Sequence, residues 1–125
     1  MASEAQRLMR PLNILHVLRT PVGGLFRHVL DVTRGQIARG HKVGLVMDSS
    51  TGGAAADAVL RELEPALALG LTRFPMRRAP GLGDLLAVTQ VMRRIAAREA
   101  DVVHGHGAKG GAYARFACSR RALRV

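Results

Sequence analysis

The chain has 125 residues, 48% of them hydrophobic and 3% aromatic, and a formal net charge of +10. One core follows, burying roughly two thirds of the unfolded surface and packed from aliphatic side chains, because Trp is absent. No apolar run approaches the roughly 20 residues of a membrane-spanning helix, residues 1–10 lack the apolar stretch of a secretory leader, and the lone Cys118 forms no internal disulfide, as in a reducing cytoplasm.

Residues 1–11 are expected to be disordered or extended. Residues 12–18 are nearly all apolar, the pattern of a strand covered on both faces in a parallel sheet. Arg19, Thr20 and Pro21 end that run. Gly23 and Gly24 then let the backbone approach a ligand closely while a helix begins. Over residues 25–39, Phe26, Val29, Leu30, Thr33 and Ile37 fall on one helical face, and Gly40 supplies a left-handed terminator. A phosphate or carboxylate at this helix start gains roughly 0.3–2 kcal/mol from amides and dipole. A plain tight turn accounts for the same local residues, and no G-x-G-x-x-G fingerprint is present.

Residues 43–47 read as a second buried strand and 48–53 as a loop. A helix over 54–67 carries Ala55, Val59 and Leu63 on one face and is shortened or kinked by Pro65. Residues 69–74 make a weaker third strand, followed by a loop over 75–83. Asp84 is positioned as the N-cap of a helix running to about residue 98, with Leu85, Val88, Met92 and Ile95 as its buried stripe. Residues 101–104 form a fourth strand, with Gly105, His106 and Gly107 as its exit turn. A last helix over 108–122 presents Ala112, Phe116 and Ser119 on one side.

About four βα units with parallel crossovers predict an α/β fold, a Rossmann-like doubly wound parallel sheet with strand order 3-2-1-4. Ligands in such sheets bind outside the carboxyl ends of the strands, where the order reverses. Here the reversal lies between strands 1 and 4, so the Gly23-Gly24 turn and the Gly105-His106-Gly107 turn converge on one crevice. His106 is expected to face it, where an imidazole can hydrogen-bond a phosphate or a sugar hydroxyl, while His104 is satisfied near the strand end. An H-x-H pair can also hold a metal, but no third ligand is evident at suitable spacing, and no metal is expected. Lys109 is placed either to contact phosphate or to be solvated.

Three segments, Gly23 to His28, Arg39-Gly40-His41-Lys42-Val43 and Asp101-Val102-Val103-His104-Gly105-His106-Gly107, together resemble the acceptor-side N-terminal domain of glycosyltransferase family 4. The resemblance implies one half of a GT-B cleft and retaining transfer of a sugar from a nucleotide-sugar donor, the co-substrate, to a glycan or lipid-linked acceptor in polysaccharide biosynthesis, with no further cofactor. It places Gly23 and Gly24 against the donor diphosphate and acceptor and His106 in the catalytic centre; Lys109, read from its own position, is the further candidate for a diphosphate contact. Residues 12–125 are then a partial domain without the donor-binding domain and its paired glutamates, with strand 4 open at its edge, and the chain alone is expected to transfer little or nothing.

Seventeen of the 19 basic residues are arginine. Arg73, Arg77, Arg78, Arg93, Arg94 and Arg98 gather around the third crossover, so a peripheral contact with anionic membrane at the inner surface of the cytoplasm is one expectation; an ordinary solvated helix face is the other. The charge also suits a nucleic-acid-binding module, but Tyr113 and three Phe offer little base stacking, and no nucleic acid is expected. A nicotinamide-binding Rossmann domain is the remaining alternative, with Asp48 as its only candidate ribose ligand.

Overall fold

The computed structural model describes residues 10–76 and 99–107, with Leu86, Thr89, Gln90, Arg93, Leu123 and Arg124. Five strands form one parallel sheet: β1 (Asn13–Leu18), β2 (Lys42–Asp48), β3 (Gly70–Phe74), β4 (Val102–His106) and β5 (Leu123–Arg124), in the order β3-β2-β1-β4-β5. The expected 3-2-1-4 order is therefore present. The central strands read as apolar runs because both of their faces are covered: Val17, Leu18, Val43, Leu45, Val46 and Met47 are all fully buried.

α1 (Gly23–Ala38) crosses from β1 to β2 and buries Phe26, Val29, Leu30 and Thr33. Gly40, at φ +88°, follows it as the left-handed residue. α2 (Gly53–Leu63) runs into a 3₁₀ turn at Glu64–Ala66, with Pro65 in that turn. Proline thus ends the α-helix, as its missing amide requires. The buried stripe of α2 is Ala56, Leu60 and Leu63, not Ala55, Val59 and Leu63. Ala55 is exposed and Val59 is half-buried. Both stripes repeat at helical spacing, and the depth of Leu60 decides between them.

Two further expectations are corrected. β4 continues through His106, because its pairing with β1 extends to Val17↔Gly105 and Leu18↔His106; Gly105 and His106 of the supposed turn are strand. Its outer edge is partly covered by β5, through Val102↔Leu123 and Val103↔Arg124.

At the start of the domain, Arg10 is held rather than loose. It forms an ion pair of 3.2 Å with Asp101, whose carboxylate also accepts from the Asn13 amide at 2.9 Å. Leu86, Thr89, Gln90 and Arg93 are helical. Asp84, Leu85, Val88, Met92 and Ile95, the helix over 108–122 and residues 1–9 lie outside the described residues. No helix among the described residues is long and apolar enough to cross a membrane.

Candidate functional site

The first half of the site is the start of α1. Val22 occupies the N-cap with extended backbone and no side-chain hydrogen bond, and the first turn carries no acidic residue. The leading amides of a helix have no intrahelical partner, so here they are left without a side-chain cap. Gly23 sits at φ +73°, which favours glycine. A Cβ on either Gly23 or Gly24 would meet nothing within 4 Å. An apolar recess of about 280 Å³ lies beside this turn, lined in part by Val22, Gly23, Gly52 and Ala55. Gly52, the N-cap of α2, likewise provides no side-chain cap.

The second half is the end of β4. Gly107, the first helical residue after β4, places its backbone against α1: a Cβ there would stand 3.2 Å from Leu25 Cδ2. The two glycine-bearing segments therefore do meet at the reversal of strand order. His106 is buried, with 5% relative exposure, rather than open to a crevice as expected. It reaches inward because the strand continues to this position.

What covers it is a cluster of imidazoles. His16 on β1 lies opposite His104 in the parallel register, and His104 and His106 stack on one face of β4 with ring centroids 3.9 Å apart. His16 Nδ1 and His106 Nε2 are 2.9 Å apart, and His16 Nε2 is 2.7 Å from Gln36 Oε1 on α1. An amide oxygen only accepts, so His16 carries its hydrogen on Nε2 and presents Nδ1 as an acceptor. His106 Nε2–H then donates to His16, which leaves His106 Nδ1 as the acceptor. The ring of His28, on exposed α1 surface, completes the group 6.1 Å from His106.

Burial holds these rings neutral. His16 is pushed down to about 4, chiefly by desolvation, with the Gln36 hydrogen bond opposing and His104 and His28 adding to it. Desolvation likewise pushes His106 down to about 4, reinforced by His104, His16 and His28. His104 moves in the same direction for the same first cause, burial, with His28 second. At neutral pH, His106 thus offers a lone pair and not a charge.

Asp48 at the end of β2 is spent locally. Its buried carboxylate accepts from the Met76 amide at 2.7 Å, from Thr51 Oγ1 at 2.6 Å and from Ser50 Oγ at 2.8 Å. Burial raises its pKa, but these hydrogen bonds outweigh that and the net shift is downward. A carboxylate so occupied has little left for a ribose, which disfavours the nicotinamide alternative. Arg73 is also engaged: it donates to the Asp48 and Thr51 carbonyls and pairs with Asp57 at 2.6 Å, so it is not a free membrane contact.

Of the expected site residues, Gly23 and Gly24 open the helix that meets the end of β4 through Leu25 and Gly107, His106 lies in the buried imidazole cluster, and Lys109 lies outside the described residues. His16 and Gln36 were not foreseen. His16 is also the third ligand position that the H-x-H pair lacked in the sequence: one ring nitrogen from each of His16, His104 and His106 lies within 4.8 Å of the other two. Only the β1–β4 register reveals it.

The fold has solved relatives. A glycosyltransferase from Rickettsia africae ESF-5 superimposes with a TM-score of 0.64 at 16% identity, over 86% of this chain and 27% of its own. MurG from Acinetobacter baumannii gives 0.62 at 18% identity, over 85% of this chain and 32% of its own. The chain thus spans about a quarter to a third of the length of these structures, and the likeness identifies a Rossmann-like sheet of the GT-B kind. No curated protein matches the chain. The sequence profile of Glycosyltransferase Family 4 matches residues 22–125, from the N-cap of α1 past β5, and the chain therefore belongs to that family.

Proposed function

We propose that this chain forms the acceptor-side wall of a sugar-transfer cleft, in a retaining hexosyltransferase that moves a sugar from a nucleotide-sugar donor to a glycan or lipid-linked acceptor. The observation that carries the reading is the meeting of the uncapped first turn of α1, through Leu25, with Gly107 beside His106 at the point where the strand order reverses. Family membership and the fold support it.

The leaving diphosphate gathers negative charge as the glycosidic bond to it breaks. Preoriented amide donors at a helix N-terminus stabilise such charge without reorganising. The amides at Gly23 and Gly24 have that role here, with Lys109 as a further phosphate contact. Of the two partners the sequence allowed His106, a phosphate and a sugar hydroxyl, the hydroxyl suits its hydrogen-bonding state. With Nε2–H committed to His16, its Nδ1 accepts a hydrogen bond from a sugar hydroxyl and orients it. His16 is a positioning residue, and Gln36 sets its tautomer.

One wall does not make a cleft, and the 125 residues alone transfer little or no sugar. The site of action is the cytoplasm, at the inner membrane surface where the acceptor is lipid-linked. A transfer assay compares the isolated chain with a fusion to a donor-binding domain of the family, over a panel of nucleotide sugars. The fusion should transfer with retained anomeric configuration, and the chain alone should not. Normal turnover by the isolated chain, or an inverted product, would contradict this reading.

A further inference from the structure

We propose that His16, His104 and His106 together form a binding site for a divalent transition-metal ion of the zinc class, in a state of His106 that alternates with the one accepting a sugar hydroxyl. Three ring nitrogens, one from each residue, already lie within 4.8 Å of one another. They come from two adjacent strands in fixed parallel register, with His16 directly opposite His104, so the backbone that carries them is among the most constrained in the fold.

The donor set selects the ion. Imidazole suits zinc, copper, nickel and cobalt, whereas magnesium and calcium require oxygen ligands. Among the described residues no carboxylate joins the group. In a tetrahedral zinc site with bonds of 2.0–2.1 Å, ligand nitrogens stand about 3.3 Å apart. The bonded pair His16 Nδ1 and His106 Nε2, at 2.9 Å, has to open slightly, and His104 has to close in. Three protein ligands leave the fourth position to water or another ligand.

A second observation points the same way. A metal-bound histidine almost always donates its other ring N–H to a fixed acceptor, which sets tautomer and orientation. His16 does so already: Nε2–H donates to Gln36 Oε1 at 2.7 Å, and Nδ1 is turned toward the cluster. For His106, ligation through Nε2 needs only the transfer of one hydrogen to Nδ1. His104, half-buried, provides the way in.

The test titrates the metal-free 125-residue chain with Co²⁺ and then with Zn²⁺. One equivalent of Co²⁺ should produce the visible absorption of a low-coordinate site, and one equivalent of Zn²⁺ should abolish it. His16→Asn or His104→Asn should weaken Zn²⁺ binding by at least ~10-fold, and Gln36→Ala by about 10-fold. If a variant fails to fold, imidazole ¹⁵N resonances of the wild-type chain settle the matter. Zn²⁺ should shift the rings of His16, His104 and His106 together, and Mg²⁺ should shift none. Absence of a one-to-one site, Zn²⁺ binding that leaves the His16 and His104 rings unmoved, or equal binding of Mg²⁺ would overturn the proposal.

Discussion

Between pH 6.5 and pH 4 the chain should lose up to roughly 6 kcal/mol of folding stability, about 3 kcal/mol from each of His16 and His106. Both rings have the ordinary affinity for a proton when unfolded and a much lower one when folded. In this window the unfolded state therefore binds more protons, and stability rises with pH. It is fully present above the unfolded value of 6.5 and declines as the unfolded rings charge. The two rings share a hydrogen bond, so the sum is an upper bound. Against a typical total of about 5–15 kcal/mol, even half of it is a large loss. Asp48 contributes in the same sense, in a separate and more acidic window. Its pKa is depressed by folding, so its contribution is kept above the usual carboxylate range and lost below it. Urea midpoints measured from pH 8 to pH 4 should fall steeply from about pH 6 in the wild type, and about half as steeply in His16→Gln. A flat profile down to pH 4.5 would show that the imidazoles are not buried as described.

The second large effect is on transfer. In a fusion with a donor-binding domain, His106→Ala should lower kcat/KM by about 10²-fold, the usual scale for a group that handles a reacting hydroxyl. His16→Asn should give a smaller loss through misplacement of His106. Because His106 remains neutral down to about pH 4, the acid limb of the free-enzyme profile should lie near that value and not near 6.5. His106→Gln, which retains an acceptor, should recover part of the rate. Unchanged kcat/KM in His106→Ala, or an acid limb near 6.5, would remove His106 from the proposed role.

The sheet was legible because each buried strand is an apolar run bounded by Gly, Pro or charge, and because parallel crossovers leave few orders. Pro65 marked its helix end for a purely local reason, the missing amide. The errors share a different origin. Where β4 ends depends on how far β1 continues beside it, and the α2 stripe depends on how deep Leu60 sits. The cluster of His16, His104 and His106 is the clearest case. His16 stands mid-strand with no motif around it, and its meaning appears only once the register sets it opposite His104, 88 positions later in the chain. The donation from His16 to Gln36 is equally invisible locally, since it joins a strand to the far end of a helix. The resemblance carried by Gly23, Gly24 and the H-x-H segment identified the family without revealing how the histidines are held.

The central claim is that the α1 start receives a diphosphate, and Gly24→Ala tests it most directly. Gly24 has ordinary helical backbone and room for a Cβ, so alanine there should raise stability by up to about 1 kcal/mol through helix propensity. A methyl group in the same place stands between the ligand and the amides. Amide resonances of the wild-type chain, titrated with a nucleoside diphosphate, should shift at Gly23, Gly24 and Leu25 and at the His106 ring. In Gly24→Ala those shifts should vanish while the melting temperature holds or rises. Shifts scattered over the arginine-bearing surface, or shifts at Gly23 and Leu25 that persist unchanged in Gly24→Ala, would contradict the account.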